Sequence, residues 1–126
     1  YLKSRPPEQI ARLRRRVSEG RIELTGMFAN LSELLDERSC AASLEPLRLL
    51  REAGIPCTTA MQDDVNGIAW CYADFLPELG VRYLEMGEHG HRALVPFDVP
   101  TAFWWESPAG EHVRCVIAGR SVSSCP

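Results

Sequence analysis

Two adjacent carboxylates, Asp63 and Asp64, close an apolar run in "TTAMQDDVNGIAW", Thr58 to Trp70. A carboxylate at a strand end can serve as nucleophile, general base or metal ligand. The competing reading is helix capping, because Asp suits an N-cap and the positive end of a helix dipole. Adjacent side chains leave a strand in opposite directions, so at most one of the pair is expected to aim into a site. Further on, "MGEHGHRA" carries His89 and His91, flanked by Glu88 and Arg92. On extended chain a His-x-His pair presents both imidazoles to one side, a spacing that metal sites use and that polar surface loops also show. Glu88 and Arg92 suit the hydroxyls of a sugar. In "AFWWES", Trp104 and Trp105 should point to opposite sides of a strand, one into the core. An exposed indole face can stack on the apolar face of a sugar ring. No Gly-rich phosphate loop, G-x-S-x-G or H-E-x-x-H motif occurs.

The bulk of the chain is ordinary. It has 126 residues, 45% of them hydrophobic and 25% charged, with a net charge of -3. That is enough for one modest core. A mildly acidic chain is a poor nucleic-acid binder, because phosphate affinity needs a clustered basic face. The one basic cluster, Arg12 to Arg16, lies beside Glu8 and Glu19 and reads as a solvated helix face. No segment is long and apolar enough to cross a bilayer, so no membrane partner is expected. The opening "YLKSRPPEQ" has neither a Met nor an apolar leader and is read as a piece of a longer chain. Five widely spaced cysteines without a C-x-x-C pair argue for reduced thiols in a cytoplasmic protein.

The elements that must hold these groups follow from periodicity. Pro6-Pro7 and the stripe Ile10, Leu13, Val17 predict a helix that stops at Gly20. "RIELTG" alternates like a strand. Leu34 to Ala53 is helical in pattern, with Pro46 forcing either a kink or a start near Glu45. "IPCTTAM" predicts a buried strand, "GIAWCYADFLPELG" a helix, and "VRYLEMG" a strand. "AFWWES", "PAG" and "EHVRCVIAG" predict a hairpin. Strands alternating with helices imply a parallel sheet of βαβ units in a single domain. Functional groups of such folds gather beyond the C-terminal strand ends. Three loops are therefore expected on one edge: Met27 to Asp36, Gln62 to Asn66, and Gly87 to Pro100.

Taken together, "GRIELTGMFANLSELLDE", "AMQDDVNGIAWCYADFLPELGVRYLEMGEHGHRA" and "FWWESPAGEHV" resemble the N-terminal catalytic domain of glycoside hydrolase family 38, the α-mannosidase family. The most specific stretch is Asp64-Val65-Asn66-Gly67, which matches the family's strand-end Asp and the Gly that follows it. The resemblance implies an α/β fold, part of a (β/α) barrel shared with polysaccharide deacetylases. Residues 1–126 would then be one partial domain. It further implies a carbohydrate substrate, α-linked mannosides, and a retaining mechanism with a zinc ion at the sugar subsite. Asp64 matches the residue that is both nucleophile and zinc ligand in the family.

The family often has an apolar or amide residue at the position of Asp63, so the resemblance gives Asp63 no catalytic role. The family's His-x-Asp zinc motif, its distal zinc His and its general acid have no match here. The remaining zinc ligands are expected outside this chain, and this stretch by itself is expected to be inactive. Trp105, His89, His91 and Arg92 are the expected sugar contacts. Two other readings stay open. One is a zinc-dependent deacetylase on the same barrel, using Asp64 as base or ligand. The other is a carbohydrate-binding remnant without catalysis.

Overall fold

The computed structural model describes residues 2–31, 34–65, 67–87 and 102–118. Its frame is one five-stranded sheet. The strands are β1 (Thr25–Gly26), β2 (Thr59–Gln62), β3 (Tyr83–Gly87), β4 (Ala102–Glu106) and β5 (His112–Ala118). Their order across the sheet is β1-β2-β3-β5-β4. β1, β2, β3 and β5 run parallel, and β4 is antiparallel to β5. The expected hairpin therefore forms, and its second strand inserts between β3 and its own partner. Gly110, at φ 87°, makes the turn that most side chains avoid.

Among the described residues four helices accompany the strands: α1 (Pro7–Ser18), α2 (Glu37–Ser43), α3 (Glu45–Glu52) and α4 (Tyr72–Glu78). The long helical pattern around Pro46 resolves into α2 and α3, broken at Leu44. Pro46 sits in the first turn of α3, where its missing N–H is no loss. The expected helix at 67–80 is shorter, because the residues before Tyr72 are held otherwise. The indole N–H of Trp70 donates to the Glu106 carbonyl at 2.9 Å, tying this segment to the end of β4. The first strand is also shorter than its alternation predicted. Only Thr25 and Gly26 pair with β2, and Ile22 is left exposed at the edge.

The core lies on one side of the sheet. Ala60, Leu84, Val113 and Cys115 are buried there against Cys40, Leu44 and Leu47 of the α2–α3 region and Tyr72 and Leu76 of α4. The Tyr72 hydroxyl bonds Ser43 Oγ at 2.9 Å, and burial pushes its pKa up to about 12. The opposite side leaves Met61, Tyr83, Trp104 and Val116 exposed. Among the described residues no helix is long and apolar enough to cross a membrane.

Asp36 starts α2 as its N-cap, accepting the Ser39 N–H at 2.7 Å. Hydrogen bonding to Ser39 holds its carboxyl below the ordinary 3.8. The folded form therefore takes up this proton less readily than the unfolded chain. Its stabilising effect is complete above the ordinary value and is lost as pH falls through the lower, folded one. Asp36→Asn keeps a capping acceptor but has no proton to take up. It should leave the melting temperature at neutral pH little changed and flatten its fall toward about pH 3. Thermal melts across that acid range check this.

Candidate active site

The parallel strands β1, β2 and β3 finish on the same edge, and the loops that follow them are stitched together there. Gln62, the last residue of β2, is fully buried. Its side-chain amide donates to the Leu31 carbonyl at 2.7 Å. The next residue, Asp63, donates its backbone N–H to Asn30 Oδ1 at 3.2 Å. The loop after β1 is thus fixed to the end of β2 through one buried amide and one main-chain bond. The convergence expected of the first two loops is observed. Most of the third loop, 88–101, lies outside the described residues.

Both strand ends turn through unusual backbone. Met27, just after β1, has φ 65°, and Asp64 has φ 57°. Left-handed backbone is tolerated by Asp but is an outlier for Met, and such positions concentrate at functional sites. The left-handed turn at Asp64 ends the extended run from β2 and leaves the residue exposed. Neither Asp caps a helix. α4 begins only at Tyr72, its N-cap is Cys71, and no side chain bonds that cap.

Alternation separates the pair from the core. Ala60 and Gln62 are buried on the helix-covered side, which puts Met61 and Asp63 on the open one. Gln62 is in register with Met86, so Asp63 lies beside Gly87 at the end of β3. A Cβ built on Gly87 would run into Asp63 Oδ1. The Asp63 carboxylate therefore occupies the space that any side chain at position 87 would need. No signal in the sequence marks Asn30, Gln62 and Gly87, because each acts through another strand or loop.

The other expected contacts fall elsewhere. His89, His91 and Arg92 lie outside the described residues. Trp105 is half-buried and packs on the core. It pairs with Val113 near the start of β5, whereas the level of Gln62 on β5 is Ile117. Four strand steps separate the two, roughly 13 Å. The structure does not bring Trp105 to Asp64. Of the adjacent pair, Trp104 has the exposed indole, on the open face. The Arg114 guanidinium lies over it, 4.8 Å from the ring centroid, and His112 meets it edge-on at 4.9 Å. Among the described residues, no three His, Cys, Asp or Glu side chains are grouped closely enough to hold a metal ion. Asp64 offers a single oxygen-donor group, suited to one position of a coordination shell.

A mainly parallel α/β sheet with stitched loops beyond its strand ends is the architecture in which α/β enzymes place their sites. The sequence matches the N-terminal domain of glycosyl hydrolases family 38 across residues 1–123. The chain belongs to glycoside hydrolase family 38, and carbohydrate is its substrate class. No curated protein matches the sequence.

Proposed function

We propose that the chain supplies the nucleophile of a retaining, zinc-dependent α-mannosidase-like glycoside hydrolase acting on α-linked mannosides. The observation that carries this reading is Asp64 itself. It stands exposed beyond the C-terminal end of a central parallel strand, in left-handed backbone and with no helix to cap. A retaining glycosidase needs a carboxylate that attacks the anomeric carbon and an acid that protonates the departing oxygen. The bond from sugar carbon to leaving oxygen breaks as the bond to the Asp64 oxygen forms. Water then cleaves the glycosyl ester, giving back the carboxylate and net retention. Asp64 would also serve as one zinc ligand, the other ligands coming from outside the described residues. A bound zinc ion supplies Lewis-acid attraction for sugar hydroxyls.

His89, His91 and Arg92 are proposed as sugar contacts in the loop after β3, while Trp105 is left to the core. The sheet is read as an arc of a barrel. Helical cover on one side and exposed Met61, Tyr83, Trp104 and Val116 on the other suit outer and inner walls. A cytoplasmic location is part of the proposal and is supported by the free thiols of Cys40, Cys57, Cys71 and Cys115. The test is a fluorinated mannoside with an activated leaving group, incubated with the full-length protein and followed by peptide mass spectrometry. The expected result is a covalent sugar on Asp64. Release of acetate from an N-acetylated glycan with no adduct would favour the deacetylase instead. Mannoside binding without turnover or metal would favour a carbohydrate-binding remnant.

A further inference from the structure

We infer that Asp63 is a second working carboxylate of this site, a positioning group that accepts hydroxyls of the bound sugar, and that position 87 is glycine to leave it room. The inference rests on the glycosidase reading of Asp64 and extends it to a residue that the family resemblance gave no role.

Three observations meet at this point. The first is crowding. A Cβ on Gly87 would run into Asp63 Oδ1 and stand 2.8 Å from Asp63 Cγ, so the carboxylate would have to swing from its present place. Gly87 is also not among the glycines with positive φ. Its backbone is open to any residue, so what a side chain there would disturb is the present placement of the Asp63 carboxylate and not the conformation of the strand. The second is anchorage. The Asp63 N–H is held by Asn30, and the preceding Gln62 is clamped in the core by Leu31. The carboxylate is thus borne on fixed backbone, as a specificity group must be. The third is availability. Asp63 is exposed, and among the described residues no cation pairs with it.

An ionised carboxylate is an acceptor only, with two oxygens that match a pair of neighbouring hydroxyl donors. Asp63 stands on the open face at the strand ends, and the left-handed turn at Asp64 (φ 57°) ends the alternation expected to keep the two carboxylates apart. The chemical class it fits is the vicinal diol of a pyranose whose anomeric carbon sits at Asp64.

A mutant cycle on the full-length protein, assayed with para-nitrophenyl α-mannoside, tests this. Asp63→Ala should lower kcat/KM about 10- to 100-fold, the range of a lost charge-assisted hydrogen bond. Gly87→Ala should lower it comparably by displacing the carboxylate. The double variant should be no worse than Asp63→Ala alone, because the methyl group then meets empty space. Among monodeoxy mannosides, one should be handled equally by wild type and Asp63→Ala, which marks the hydroxyl that Asp63 accepts. Additive losses in the cycle, or wild-type kcat/KM in Asp63→Ala, would overturn the inference. Should Gly87→Ala fail to fold, Asp63→Asn against the deoxy series decides alone, and equal losses on every deoxy sugar count against the role. Asp64→Asn run alongside keeps the two readings apart. If it retains activity, the nucleophile assignment fails. If it is dead while Asp63 variants are normal, only the present inference fails.

Discussion

Asp64→Asn in the full-length protein is expected to lower kcat on an aryl α-mannoside at least about a thousandfold, roughly 4 kcal/mol of transition-state stabilisation. The substitution is nearly isosteric, so the loss reports chemistry and not shape. Asn adopts left-handed backbone at least as readily as Asp, and the φ of 57° at this position is therefore no obstacle. The side chain is exposed, so little packing changes either. The melting temperature should stay within about two degrees of wild type, the usual reach of a surface substitution. An amide oxygen is a far weaker nucleophile than a carboxylate and cannot form the glycosyl ester on which retention depends.

Asp64→Gly gives the complementary result. Glycine also accepts the left-handed turn, and it vacates the volume of the carboxylate. A small external nucleophile such as azide can then attack the anomeric carbon from the same side. Partial recovery of turnover is expected, with a β-mannosyl azide as product. Turnover by Asp64→Asn within tenfold of wild type would end the nucleophile reading.

How far the fold was legible can be read from particular residues. The strand expected of "VRYLEMG" forms as β3, and its inward residue Leu84 is fully buried. The Trp104-Trp105 pair divided between two faces as a strand demands. Pro46 located the start of α3 to within a residue, because a pyrrolidine ring tolerates only the first turn of a helix. These signals are local, and local physics carried them. The misplacements came from tertiary contacts. The late start of α4 goes with the Trp70 bond to Glu106, a partner far along the chain. The brevity of β1 reflects an edge that only β2 supports. At the site, the left-handed turn at Asp64 and the burial of Gln62 leave no trace in residue types. The pairing of Asp63 with Gly87 depends on register between two strands joined through α4. Nothing in either residue's neighbours specifies that register.

Leu84→Ala is expected to destabilise the folded domain by about 2–5 kcal/mol, the range for truncating a fully enclosed leucine. Leu84 is 0% exposed and sits mid-strand in β3. Its register neighbours are Ala60 on β2 and Cys115 on β5, both small and both fully buried. The leucine is therefore the bulky member of a cross-strand row, and it fills the space between that row and the helices. Ladders on both sides of β3 fix the walls of this space, so the void left by alanine cannot close by sliding the strand. That argues for the upper half of the range, because cost rises with the cavity that persists. The urea midpoint should fall with the slope of the transition unchanged, since the same surface is exposed on unfolding. Met61→Ala, on the open face, supplies the contrast. Its side chain is 37% exposed, and its loss should cost about 1 kcal/mol or less. Equal costs at the two positions would mean that the open face is as enclosed as the helical one.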